Sequence, residues 1–198
     1  MSDEAAGERA DAARNRARLL EAAAGLVAER GAEQVTMHAV AEEAGVGKGT
    51  LFRRFGDRTG LLLALVDEVE ADFHEAYTSG PPPLGPGAPP RDRLTAFGCA
   101  LIERIADDTD LGPALGRQIP CGQRHASHFG QAFAHHVAAL LREAGVEGDH
   151  DMLAHAMLAF VNLETLDYLR NEPGVTTERL QNTWRDLVRR VTAADELR

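Results

Sequence analysis

From Arg14 to Arg30 the apolar residues Leu19, Leu20, Ala23, Leu26 and Val27 recur at three- to four-residue spacing, with polar residues between them. That period puts them on one face of a helix, and Gly31 just beyond predicts its end. Thr36 predicts the N-cap of a short second helix whose inward face is Val40, Ala41 and Ala44. Gly45 interrupts the pattern, and a third short helix is expected over about 47–55. Asp57 then caps an expected fourth helix reaching about Tyr77. The segment SGPPPLGPGAPPR, 79–91, has six prolines and three glycines in thirteen residues, which predicts a loop.

Helices are expected again over 92–107, 110–117, 123–145, 149–171 and 176–194. On the last, Leu180, Trp184, Leu187, Val188 and Val191 form one apolar stripe. The helix over 149–171 is apolar on two sides. Met152, Ala156, Ala159 and Leu163 share one sector; Leu153, Met157 and Phe160 share another. A helix with two apolar sectors has two partners to serve, its own core and a second subunit. No period-two run competes, so the fold class expected is all-α: an N-terminal three-helix unit followed by a C-terminal helical bundle.

Charge changes the picture of the N-terminal unit. The 198 residues carry a formal net charge of -10, but unevenly. Residues 1–13 carry one arginine against four acids and are expected as a flexible acidic tail. Residues 14–58 carry eight Lys and Arg against six acids, and residues 59–198 twelve against twenty-one. A locally basic module on an acidic body is compatible with nucleic-acid binding, because the local field outweighs the sum at contact distance. No run approaches eighteen apolar residues, and the N-terminus lacks a basic start and apolar centre, so a cytoplasmic protein is expected. Cys99 and Cys121 are ungrouped, which indicates neither a disulfide framework nor a zinc motif. GVGKGT lacks the spacing of a phosphate loop, and no catalytic set is recognisable, so no enzyme and no cofactor is expected.

Two short helices joined at a glycine, the second rich in cations, form a helix-turn-helix pattern. Val46, Leu51 and Phe55 are expected to face inward, leaving Lys48, Thr50, Arg53 and Arg54 outward. Gly47 and Gly49 keep the helix start thin, so that backbone can approach a duplex. The run TMHAVAEEAGVGKGTLFRRFGDRTGLL, 36–62, resembles the DNA-binding domain of the TetR (tetracycline repressor) family. Thr36, Val40-Ala41, Ala44-Gly45-Val46, Gly49-Thr50-Leu51 and Phe55 carry the match, and Leu61 follows in place. The resemblance implies that Lys48 and Thr50 read bases or adjacent phosphates and that Thr36 marks a phosphate-binding helix start. It implies that Arg54 stands where a Tyr or His touches the backbone, and that Arg58, among the DNA-binding residues, stands in for the family's lysine at the start of helix four. Phe52 replaces the usual tyrosine and Gly47 the usual serine. Gly60 costs about 1 kcal/mol of helix stability relative to Ala. Domain limits of 14–58 for the DNA-binding unit, 59–78 for a linking helix and 79–198 for an effector-binding and dimerisation unit follow.

The resemblance further implies a homodimer that binds a palindromic double-stranded operator, a small-molecule effector and dimerisation through the last two helices. The interface expected is Met152, Ala156, Ala159 and Leu163 against Leu180, Trp184, Leu187 and Val191. A repressor is the expected role; the alternative is a helical ligand-binding protein with lost or weak DNA binding, kept open by Phe52 and Gly47. Six histidines lie between His125 and His155, but without an HxxxH pair, so no metal site is expected. His136 falls on the stripe of Phe129, Phe133 and Val137, and Glu164 lies between Phe160 and Tyr168. A buried carboxylate there needs a partner, and Arg104 or a ligand would serve. Effector contacts are therefore expected among Arg104, Phe129, Phe133 and His136, with Met157, Phe160 and Glu164.

Overall fold

A computed structural model describes the backbone of residues 2–107 and 109–193, with side chains from Arg14 onward. Twelve α-helices and a 3-10 turn, with no strand, are found among the described residues. The first is α1, Ser2–Arg30. It takes in the residues expected as an acidic tail, because alanine, glutamate and arginine are strong helix formers. After the 3-10 turn Ala32–Gln34 come α2, Met37–Glu43, α3, Lys48–Phe55, and α4, Arg58–Val69. Leu19, Ala23, Val40, Leu51 and Leu61 from these four helices close one core.

The expected fourth helix is interrupted once, at Glu70, which ends α4 and begins α5, Ala71–Thr78. Glu70 is drawn inside the molecule, where it meets Arg104. Past the proline-rich loop, α6 runs Pro90–Ala106 with proline in its first turn, where the missing N–H costs nothing. Next come α7, Leu111–Gly116, α8, Cys121–Ala126, and α9, His128–Glu143. The helix expected over 123–145 is thus split. Ser127 caps α9 by accepting from the Gly130 N–H and donates to the Arg124 carbonyl at 2.6 Å. The helix expected over 149–171 is split likewise into α10, His150–Phe160, and α11, Leu163–Arg170. Asn162 caps the second piece, accepting from the Thr165 N–H at 2.7 Å. The chain ends its described helices with α12, Thr177–Val191.

A second core gathers Phe73, Tyr77, Phe97, Val137, Leu141 and Trp184. Here α12 crosses α6 so closely that a Cβ at Gly98 would strike the Trp184 indole. The indole N–H donates to the Leu94 carbonyl at 3.1 Å. Trp184 is 0% exposed, and Leu180 and Leu163 are buried as well. These three expected interface residues are therefore core residues of their own protomer. Met152 remains 62% exposed, with Ala156 and Ala159 open beside it, while Leu187 and Val191 are half-buried.

The two cores are bridged by α7. Leu115 and Ile119, at and just beyond its end, pack into the first core, with α1 to α4. No described helix is long and apolar enough to cross a membrane.

Candidate functional site

The turn between α2 and α3 depends on Gly45, whose φ of 63° is a conformation that side-chain-bearing residues rarely adopt. The Val46 N–H returns to the Ala41 carbonyl at 2.9 Å, closing the turn. Leu51 is fully buried and Val46 and Phe55 half-buried, so α3 is held from beneath as its pattern predicted. Lys48, Gly49, Phe52, Arg53 and Arg54 are exposed, and Thr50 is partly so. No hydrogen bond or ion pair ties Lys48, Arg53 or Arg54 to another described residue. Phe52 is 48% exposed, an apolar ring of some size held toward solvent. At Gly47, the N-cap, no side chain caps the helix, and a Cβ at Gly47 or Gly49 would meet open space. Thr36 is exposed and its hydroxyl accepts from the Ala39 N–H at 3.1 Å, so α2 begins with a capped, open end.

Arg58 is placed differently from the expectation. Its guanidinium donates to the carbonyls of Val35 at 2.8 Å and Ala32 at 2.9 Å, and reaches Gln118 at 3.5 Å. These bonds hold the turn before α2 against α4. A half-buried arginine spent on carbonyls is not available to a phosphate. Gly60 also has a use its helix position hid. A Cβ there would strike the Phe55 carbonyl, so glycine lets α4 start hard against the end of α3.

The second candidate site is a cavity of about 130 Å³ between α4, α6, α7, α8, α9, α10 and the start of α11. Phe129, Phe133, Leu101 and Leu158 give it apolar walls, and Gly112 and Gly116 of α7 form another side. Arg104 lies at its edge, locked in place. It donates to Glu70 at 2.6 and 3.0 Å and to Asp110 at 2.7 and 3.0 Å. It also stacks 4.7 Å from the Phe73 ring centroid. The two carboxylates hold its proton even more firmly than usual, against the cost of burial. A Cβ at Gly112 would strike the Glu70 carboxylate, so α7 approaches this network through glycine.

Of the other expected effector contacts, Met157 is buried in the second core and Phe160 packs against it; neither lines the cavity. His136 is enclosed by Tyr77 and Phe97, at ring-centroid separations of 4.5 and 5.0 Å, and is also outside the cavity. Its Nε2 and the Tyr77 hydroxyl are buried without a partner among the described residues. Burial, then the charges of Arg93 and His74, push the imidazole down to about 4. Glu164 is not a buried carboxylate. It is 56% exposed at its side chain and pairs with Arg124 at 2.6 Å rather than with Arg104. Arg124 lines the cavity and had no signal in the sequence. Glu70 did have one: it stands on the stripe Val66, Glu70, Phe73, Tyr77, where a carboxylate among apolar residues marks a buried pair. His125, His128, His135 and His155 are exposed, and no group of three metal-ligating side chains occurs among the described residues.

Comparison with known proteins falls on the same helices. The family described as bacterial regulatory proteins, tetR family, matches residues 19–65. An HTH-type transcriptional regulator of Staphylococcus aureus is 34% identical over 80 residues, 35% of this chain and 43% of that protein. The chain thus spans less than half the length of the curated relatives it matches. A solved protein of Rhodococcus sp., assigned to TetR-family transcriptional regulators, is similar over 91% of this chain and 100% of its own, at TM-score 0.61 and 25% identity. Thermus thermophilus FadR, a TetR-family repressor solved with lauroyl-CoA, shares the fold at TM-score 0.70 and 22% identity, over 91% of this chain and 96% of its own. Over residues 19–65 the chain thus matches the tetR family of bacterial regulatory proteins, and the likeness to a TetR-family fold extends over 91% of its length.

Proposed function

We propose that this protein is a cytoplasmic transcriptional regulator, a repressor, whose homodimer binds a palindromic operator and is released by a small molecule held in the second domain. The observation that carries the reading is the outer face of α3. In a chain of net charge -10, Lys48, Arg53 and Arg54 stand exposed on one short helix, with no partner among the described residues. The major groove of B-DNA, about 12 Å wide, admits one such helix. Thr36 and the thin start of α3 at Gly47 and Gly49 offer backbone to phosphates at the groove edges.

The route from effector to DNA is a shared element. On one side α7 lines the cavity with Gly112 and Gly116; on the other, Leu115 and Ile119 sit in the core that supports α3. An occupant that favours one position of α7 shifts the support of the recognition helix. A tenfold loss of operator affinity needs only about 1.4 kcal/mol of differential binding. FadR of T. thermophilus was solved with lauroyl-CoA, which supports an apolar, acyl-like effector class here.

The test is selection of genomic fragments with the purified protein, then salt-titrated binding to the best fragment. Three free cations per protomer predict a slope of about -5 in log K against log salt for a dimer. Lys48→Ala combined with Arg54→Ala should abolish binding without unfolding the protein. If no sequence is enriched and binding has no salt dependence, the absent phenol at Phe52 and absent cap at Gly47 are disabling. The protein is then a helical ligand binder.

A further inference from the structure

Resting on the reading of the cavity as an effector site, we propose that its ligand is a carboxylic acid with a small apolar body, anchored by Arg124 in place of Glu164. A polar ligand needs a group at the cavity whose present partner can be exchanged. Arg104 is not, with four hydrogen bonds to two carboxylates. The Ser127 hydroxyl is spent as the cap of α9, and the Asn162 side-chain oxygen as the cap of α11. His125 turns its Nδ1 to the Cys121 carbonyl at 2.9 Å and is exposed, so that its other ring nitrogen can be met by water.

Arg124 is held differently. Its Nη1 donates to the carbonyls of Gly116 and Ile119 at 2.9 and 3.1 Å, which fixes the guanidinium at the end of α7. Its Nη2 alone meets both oxygens of Glu164, each at 2.6 Å. That is not the parallel fork in which two nitrogens each take one oxygen, the geometry that makes arginine–carboxylate pairs strong. The side chain of Arg124 is largely enclosed, at 17% exposure, whereas that of Glu164 is 56% exposed. Glu164 can therefore return to water cheaply, while Arg124 cannot leave.

Charge decides the class of ligand. One monoanion balances Arg124, so a ligand carboxylate can take that place one for one while the displaced Glu164, 56% exposed, keeps its charge in water. A dianionic phosphate would leave surplus negative charge beside Glu70 and Asp110, which are already committed to Arg104. A neutral ligand would gain nothing from Arg124 while Glu164 holds it. Size sets the body: about 130 Å³ is on the scale of the roughly 150 Å³ apolar cavity that accepts benzene.

The experiment is calorimetric titration of the full chain with benzoate, cyclohexanecarboxylate and hexanoate, each beside its amide, and with lauroyl-CoA. At least one acid should bind ten or more times tighter than its amide. Arg124→Gln should bring that ratio near one, and Glu164→Gln should tighten the acid several-fold while leaving the amide unchanged. Should Arg124→Gln fail to fold, the Glu164→Gln result alone decides. Equal binding of acid and amide, an unaltered ratio in the variants, binding of lauroyl-CoA alone, or no binding at all overturns the proposal. Operator binding is measured in parallel. Release of DNA by a neutral compound would refute the acid and keep the regulator. Acid binding with the expected ratio, in a protein that ignores DNA, would do the reverse.

Discussion

At the scale of single residues, two glycines of the N-terminal unit make opposite demands. Gly49 lies in the first turn of α3 with nothing near its absent Cβ, whereas a Cβ at Gly60 would strike the Phe55 carbonyl. Gly49→Ala should therefore stabilise the free protein by up to about 1 kcal/mol, the helix-propensity gain. Gly60→Ala should cost about 1–3 kcal/mol, because a backbone carbonyl cannot step aside as a side chain can. Urea denaturation of the two variants checks both signs, and stabilisation by Gly60→Ala would refute the close approach. The sequence exposes Gly60 only as a weak helix residue, since the contact that requires it comes from the preceding helix end. A second residue sets a pH limit. His136 is neutral in the folded protein, with its pKa depressed to about 4 from 6.5. The unfolded chain takes up this proton first as pH falls, so stability is intact above about 6.5 and is lost progressively toward 4. The ring is only partly enclosed, so the loss should be no more than about 1–2 kcal/mol. His136→Gln should flatten the stability profile across that window, and an unchanged profile would place the ring in water.

Helices and their joints carry the next level. The joint between α4 and α5 is a single residue, Glu70, whose carboxylate is buried and bound twice by Arg104 from α6. Asp110, just before α7, takes the other edge of the same guanidinium. One arginine thus pins three elements, and replacing it by a neutral side chain leaves a buried carboxylate without its cation. Arg104→Gln should cost about 3 kcal/mol, near the lower end for breaking a buried pair, because Asp110 and Arg104 itself keep some access to water. Thermal unfolding checks this, and a loss under about 1 kcal/mol would mean that the network is solvated. Periodicity made most helices legible, since it reports which residues share a face. It did not report breaks at Ser127 and Asn162, where an apolar pattern continues across a cap. Nor did it report what a face meets. The stripe of α12 reads as an interface in the sequence, but Trp184 is consumed by α6 at Gly98. The helix-turn-helix was legible because a glycine turn with φ of 63° and two inward stripes leave few alternatives.

For the whole molecule the question is how an acidic chain holds a polyanion. The three cations on α3 of each protomer are few against a net charge of -10, and a protomer alone should bind weakly at physiological salt. Two recognition helices spaced about one helical turn apart, roughly 34–36 Å, would double the contacts on one face of the duplex. The proposed dimer is therefore part of the binding energy as well as of symmetry. The surface open to a partner is the outer strip of α10, Met152, Ala156 and Ala159, with the half-buried Leu187 and Val191 of α12. Small residues flanking an exposed methionine allow close approach, and a charge there would be desolvated without a counter-ion. Met152→Glu with Ala156→Glu should yield a monomer by sedimentation, with little loss of fold, since both positions are exposed. The same variant should lower the salt slope from about -5 to about half that, because half of the phosphate contacts are gone. A monomer that keeps the steeper slope would show that one protomer makes all the contacts. A dimer that survives both charges would move the interface off α10.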